Sequence, residues 1–334
     1  MAMTDTIFAH PSIAHTRVDR RRLLFHRVGK SAYSVLRGVI VIGICFLILH
    51  PVVSRIMISF MTEQDLFDQT VIYIPRQFTL ENYATVWRAM NFAVPFFNSL
   101  RLTLLVSLFQ VVACALIGYG FARFDFPGKR IWFGLVIFTL IVPPQTIMIP
   151  LFLHFRFFDV LGLFRLVSGQ RGINLLDSIW PFVLMSATGM GMKSGLYIYI
   201  VRQFYRSVPR ELEEAAYIDG AGVLKTFTMV MLPSGVPAFV TIFLFSFVWQ
   251  WTDTFYSNLF LRNLLTLPRA LNSLPLVISQ QMYGEIGTLA TMPPAMASMY
   301  TNVGSLMLVA PLVILYVVFQ RYFVESVERS GMVG

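Results

Sequence analysis

The sequence predicts an all-α membrane protein that crosses the bilayer about six times and keeps its N and C termini in the cytoplasm. Three observations predict it. Hydrophobic residues make up 56% of the 334 and charged residues only 13%, with a mean hydropathy of +0.68. A soluble domain carries roughly a quarter charged residues, so most of this surface does not face water. Apolar runs long enough to span a hydrocarbon core of roughly 30 Å fall near 38–60, 98–121, 131–154, 179–201, 236–256 and 303–322. Lys and Arg are also unequally shared. Sixteen lie in the segments that an inside N-terminus would leave in the cytoplasm, from Arg17 to Arg37, at Arg123, Lys129 and Arg130, at Arg202, Arg206, Arg210 and Lys225, and at Arg321 and Arg329; seven lie on the other side. The excess of basic residues marks the cytoplasmic loops.

Residues 1–37 form a basic segment suited to an anionic inner leaflet. They are too many and too polar for the charged start of a signal peptide, and no small-residue cleavage site follows the first run, so that run reads as an uncleaved anchor. The net charge of +9 is thereby accounted for by the membrane, and no nucleic acid is expected. In the loop after the first span, Thr79 is expected to N-cap a short helix, with Asn82 three residues on. Asn98-Ser99 opens the second span, and Pro127-Gly128 turns the chain back into the third. Pro143-Pro144 interrupts that third span, either as a packing kink or as a kink lining a pathway. The fourth contains Gly189, Gly191 and Gly195, small enough to let helices approach, and Lys193, which lipid disfavours unless it meets water or a partner. Cys45 and Cys114 sit in apolar runs as small hydrophobes, and His50 and His154 lack ligand spacing, so no metal site is expected.

Between the fourth and fifth spans lies a polar, helix-forming stretch that has to sit in water. Ser207 is placed to N-cap it, Pro209 fits its first turn, and Glu211, Glu213 and Glu214 set negative charge at the positive end of the helix dipole. Asp219-Gly220 ends it, glycine being free to take the left-handed conformation after the cap. A second short helix from about Val223 leads into Pro233. Ala215 and Ala216 are small enough to seat in a groove of another protein.

Glu214-Ala215-Ala216, three residues, Gly220, nine residues, Val230, then Leu232-Pro233 resembles the coupling loop of bacterial ABC importer permeases. Arg202-Gln203-Phe204, Trp249-Gln250-Trp251-Thr252-Asp253, Thr266-Leu267-Pro268 and Gln320-Arg321-Tyr322-Phe323-Val324 are similar to the maltose-type, sugar-importing branch of that family. The resemblance implies a type I ABC importer permease architecture in the bacterial inner membrane. The permease domain would be 38–322, its coupling loop about 202–235, and its cytoplasmic tail 323–334. It also implies that Glu213, Glu214, Ala215, Ala216, Asp219, Gly220, Leu232 and Pro233 meet an ATPase subunit. The implied partners are two ATP-binding subunits, a sister permease and an extracytoplasmic solute-binding protein. The chain ends Gly331-Met332-Val333-Gly334, without the lysine of the family's usual tail.

No Walker A sequence occurs, so the chain is expected to be a non-catalytic transport subunit with no cofactor of its own, ATP and Mg being bound by the partners. Lys193, Trp249, Trp251, Asp253, Tyr256 and Asn258 are candidates for the substrate pathway, since aromatic faces and hydrogen-bonding groups suit sugar rings, although Trp and Tyr also form interfacial belts. Gly284, Glu285 and Gly287, in a segment about 262–300 expected to be a mobile loop, are candidates for contact with the binding protein. The competing reading is an ion- or proton-coupled secondary transporter, which calls for inverted repeats and acids at mid-span. No repeat is evident, and Asp253 is the one acid placed within a span.

Overall fold

The computed structural model describes residues 20–160, 172–284 and 292–331, with 162, 166 and 169 between the first two stretches. Residues 1–19, Arg165, Arg171, Glu285 and Gly287 lie outside the described residues. The chain divides into two units, residues up to Met57 and residues from Ile58 onward. The first consists of most of α1 (Arg20–Ser59), whose stretch from Tyr33 is long and apolar enough to cross a bilayer.

In the second unit the helices are α2 (Glu63–Phe67), α3 (Glu81–Ala89), α4 (Ala93–Arg123), α5 (Lys129–Ile141), α6 (Met148–Arg156), α7 (Trp180–Ala187), α8 (Ser194–Ser207), α9 (Glu211–Ile218), α10 (Val223–Thr226), α11 (Val236–Trp251), α12 (Phe255–Phe260), α13 (Leu267–Tyr283) and α14 (Pro294–Gly331). No strand occurs among the described residues; Phe158 and Ile173 form one isolated antiparallel bridge. The all-α membrane class is as the sequence predicts.

The spans are less regular than the hydropathy windows. Ala93–Arg123 and Pro294–Arg321 are each long and apolar enough to cross as one helix, but Lys129–Ile141 and Pro144–Arg156 meet at 100°, and Val223–Ser234 meets Val236–Trp251 at 70°. At Pro143-Pro144 the missing N–H groups and ring clashes turn the expected kink into a sharp corner, closed by Thr146 Oγ1 on the Pro143 carbonyl at 2.7 Å. The fourth span is not one helix: α7 stops at Ala187 and α8 starts at Ser194, with Gly189 (φ 71°) and Lys193 (φ 61°) both left-handed between them. α14 runs through the boundary expected at 322.

α4 is the central post, packing on α7, α8, α11 and α13. It is apolar on every face, as a helix buried among others should be, yet one buried stripe carries Ser99, Thr103, Ser107 and Gln110. Without a hydrophobic drive between helices in lipid, such hydrogen-bonding groups and close approach hold the bundle. Ser99 Oγ accepts from the Leu267 amide at 2.8 Å and Asn98 Nδ2 donates to the Leu265 carbonyl at 3.0 Å. Two motifs distant in sequence, Asn98-Ser99 and Thr266-Leu267-Pro268, are thus one joint.

Two local expectations are corrected. Thr79 does not cap α3, whose first flanking residue is Leu80; Thr79 Oγ1 accepts only from the Glu81 amide. Asn82, three residues on, is buried, and its Nδ2 donates to the Ser59 and Met61 carbonyls at 3.0 and 2.8 Å. The segment 262–300 is not mainly a loop, because Leu267, Ala270, Leu274 and Ile278 form the buried stripe of α13 against α14.

Asp177, left-handed at φ 60°, ties two loops outside the bundle: its Oδ1 accepts from the Asn263 and Arg262 amides at 2.8 and 2.9 Å. Those two backbone donors, Asn263 first, hold its carboxyl below the usual carboxylate range. A depressed acid stabilises above its ordinary value and loses that contribution as pH falls through the depressed one. Amide protection at Arg262–Leu264, read by hydrogen exchange, should therefore hold from neutral pH to about pH 4 and fade below. Asp177→Ala should remove it throughout.

Candidate functional site

α9 is held by its first turn. Glu213 and Ala216, three residues apart and so on one helical face, are buried, whereas Glu214, Ala215, Asp219 and Gly220 are exposed. Glu213 Oε1 lies 3.2 Å from Arg123 Nε and accepts from the Tyr119 hydroxyl at 3.0 Å. Arg123 Nε is within ion-pair distance but off the hydrogen-bond direction, so its attraction is coulombic. The guanidinium is aimed by its Nη2, which donates to the Val208 carbonyl at 2.8 Å. The last turn of α4 thereby grips both ends of the link into α9. Ser207, expected as the N-cap, instead donates back to the Phe204 carbonyl at 2.7 Å, and Arg210 occupies the cap position without a side-chain bond.

The far end of α9 is as its sequence demands. Gly220 is left-handed at φ 79°, with the Gly220 amide on the Tyr217 carbonyl and the Ala221 amide on the Ala216 carbonyl, the paired bonds of a Schellman stop. Beyond it α10 widens into a π turn, Phe227–Met231. Pro233 offers no N–H to Met229 and its ring crowds that carbonyl, which accounts for the widening. Tyr205 Oη donates to the Met231 carbonyl at 3.0 Å, fixing the elbow to α8. Leu232 and Pro233 are exposed.

Sequence reasoning missed the apolar part of this face. Tyr217 and Leu212 are about half exposed, Leu224 more so, and Ile218 is 86% exposed. A surface combining Glu214, small Ala215 and a bare Ile218 resembles the centre of a protein interface with a polar rim. The signal was available: helical spacing separates Glu213 and Ala216 from Glu214, Ala215 and Ile218.

The pathway candidates divide. Trp251 is 1% exposed, stacked on Phe247, with its Nε1 donating to the Leu308 carbonyl at 3.0 Å. Asp253 is buried and caps α12, accepting from the Tyr256 and Ser257 amides at 3.1 and 2.8 Å. Tyr256 stacks on Phe260, and Asn258 is exposed. Lys193 and Trp249, both exposed, come together: the ammonium lies 5.1 Å from the centre of the indole. Gly284 ends α13 at φ 69°. Among the described residues no group of His, Cys, Asp and Glu could hold a metal ion.

A family model described as binding-protein-dependent transport system inner membrane component matches residues 114–329. The chain is similar to the trehalose transport system permease protein SugB of Mycobacterium tuberculosis, 27% identical over 266 residues, covering 78% of this chain and 84% of that one. It is similar to the arabinooligosaccharides transport system permease protein AraQ of Halalkalibacterium halodurans, 26% identical over 298 residues, covering 87% and 93%. Its fold matches a chain of a bacterial ABC transporter involved in the import of the acidic polysaccharide alginate, with a TM-score of 0.65 at 21% identity, covering 88% of this chain and 98% of that chain.

Proposed function

This chain belongs to the family of binding-protein-dependent transport system inner membrane components, and from that membership we propose how it works. It is an inner-membrane permease subunit of an ABC importer of the sugar-transporting kind. Separate ATP-binding subunits hydrolyse ATP; a sister permease completes the pathway; a solute-binding protein delivers the sugar or oligosaccharide. One such ATPase subunit grips α9 and the elbow that ends at Leu232-Pro233. Its closure on ATP moves that elbow, and the helices tied to it swing a cavity from one side to the other. Lys193, Trp249, Trp251, Asp253, Tyr256 and Asn258 belong to the wall of that pathway or its support. The end of α13 at Gly284, with Glu285 and Gly287 beyond it, meets the binding protein.

The single observation that supports this reading is the two-faced α9. A helix pinned on one side by Glu213 and Arg123 offers Glu214, Ala215 and Ile218 on the other. In the complete complex, Glu214→Lys should cut binding-protein-stimulated ATPase and import at least about ten-fold, since reversing a rim charge meets the partner's own basic group with repulsion. Gly220→Val should do likewise, because a β-branched residue resists the left-handed conformation. Normal turnover in either variant, at normal assembly, would overturn the reading. Nothing in the relatives supports an ion-coupled carrier; import by the permease chains alone, without ATPase subunits, would revive it.

A further inference from the structure

The contact between Lys193 and Trp249 sits at membrane depth, and two independent counts place it there. Counted from the span ends at 201 and 236, α8 carries the chain about 12 Å to Lys193 at 1.5 Å per residue, and α11 carries it about 20 Å to Trp249. Both distances start from the α9 end of the bundle, so the two residues lie between about two-fifths and two-thirds of the way across a core of about 30 Å. The backbone there is irregular, being the break between α7 and α8. Such backbone is tolerated at that depth only where protein covers it or water fills a cavity beside it.

The break is built. Gln110, buried on α4, donates from Nε2 to the Met192 carbonyl at 2.7 Å and to Ser194 Oγ at 2.8 Å, and accepts from Ser246 Oγ of α11 at 2.6 Å. A Cβ at Gly191 would stand 3.1 Å from that same Nε2 and 3.0 Å from Ser186 Oγ, so a larger residue there would crowd the loop against Gln110. This knot leaves Lys193 left-handed and exposed, with its ammonium over an exposed indole. No acid pairs with it among the described residues. An unpaired ammonium at that depth is costly, and a cation–π contact of this exposed kind returns only a small part of that cost.

We infer that Lys193 and Trp249 form an anion-favouring station in the pathway, suited to a saccharide that bears a carboxylate, sulfate or phosphate. The indole takes the sugar face and the ammonium takes the acid group. The inference rests on the pathway placement proposed above.

The test uses Thr252, exposed at the C-cap of α11, one turn beyond Trp249. Its hydroxyl bonds only within its own helix, so Thr252→Cys is harmless. In the assembled complex carrying Thr252→Cys and Cys45→Ala, modification rates are measured for anionic sulfonatoethyl and cationic trimethylammonioethyl methanethiosulfonate. Rates are read on this chain's own peptide by mass spectrometry, with and without ATP. The anionic-to-cationic rate ratio should fall about three-fold or more on Lys193→Gln, the size expected for one unit charge several ångströms away in screened water, and should survive Lys193→Arg. A reactive cysteine with an unchanged ratio overturns the anion preference and leaves the pathway placement intact. A cysteine that neither reagent reaches, in any nucleotide state, overturns both.

Discussion

Glu213→Ala should destabilise the folded chain by about 3–5 kcal/mol, the usual result of removing one partner from a buried ion pair, and should abolish import. The side chains of Arg123 and Glu213 are only 6% and 10% exposed. Without the carboxylate, a guanidinium remains at the end of α4 with the Val208 carbonyl as its one hydrogen-bond partner, and the Tyr119 hydroxyl loses its acceptor. Of the two buried side chains of α9, only Ala216 then remains. Glu213→Gln separates charge from shape: it keeps an acceptor for Tyr119 but not the counter-charge, and should fall between wild type and Glu213→Ala. The double change Arg123→Met with Glu213→Leu should recover much of the stability, because apolar groups of similar volume often replace a buried pair at little cost. It should not recover import, because the tether to Val208 is gone. Thermal unfolding in detergent reads the first effect and coupled ATPase the second. Equal import by wild type and the double variant would show that the pair serves folding alone.

That prediction depends on a distinction the sequence carried only faintly. The loop's position, its glycine stop and its proline elbow were legible because each needs a particular residue: only Gly220 takes φ 79° cheaply, and only a proline forces the π turn before it. Adjacent glutamates are chemically alike, however, and which one turns inward depends on where α4 places Arg123, some ninety residues away. Bends were hard for a related reason. A hydropathy window averages across Gly189–Lys193 as readily as across an intact helix, so the fourth span reads as continuous. The glycines there read as packing surface, while Gln110, which holds the break, lies on another span. α13 was overlooked because its stripe of Leu267, Ala270, Leu274 and Ile278 alternates with Asn272, Ser273, Gln280 and Gln281. That pattern suits a helix packed on one face rather than a span.

Gly118→Leu should leave little folded protein, and a graded pair of alanine changes should show why. A Cβ at Gly118 would lie 2.6 Å from Val201 Cγ1 and 3.2 Å from the Arg202 amide nitrogen, so α4 and α8 touch almost backbone to backbone. On α8 itself a Cβ at Gly195 would lie 2.7 Å from the Val136 carbonyl oxygen of α5. Glycines on α4 and α8 therefore seat α8 between two neighbours, and in lipid that proximity supplies the dispersion contacts that hydrophobic burial cannot. Gly118→Ala should cost about 1–3 kcal/mol as overpacking, and Val201→Ala in the same chain should restore only part of the loss, because the Cβ that alanine keeps at 201 would still lie 2.7 Å from the new methyl. Gly195→Ala should cost a similar amount, yet Thr139→Ala should not rescue it, because the remaining obstacle is backbone. Yield of monodisperse complex and its thermal midpoint measure both. Rescue of Gly195→Ala would mean that α5 can yield; full rescue of Gly118→Ala by Val201→Ala would mean that α4 and α8 can move apart to admit the methyl facing the Val201 Cβ. Because α8 runs directly into the link that Arg123 grips, any variant that spreads this seam should also weaken coupling, with import falling further than stability alone predicts.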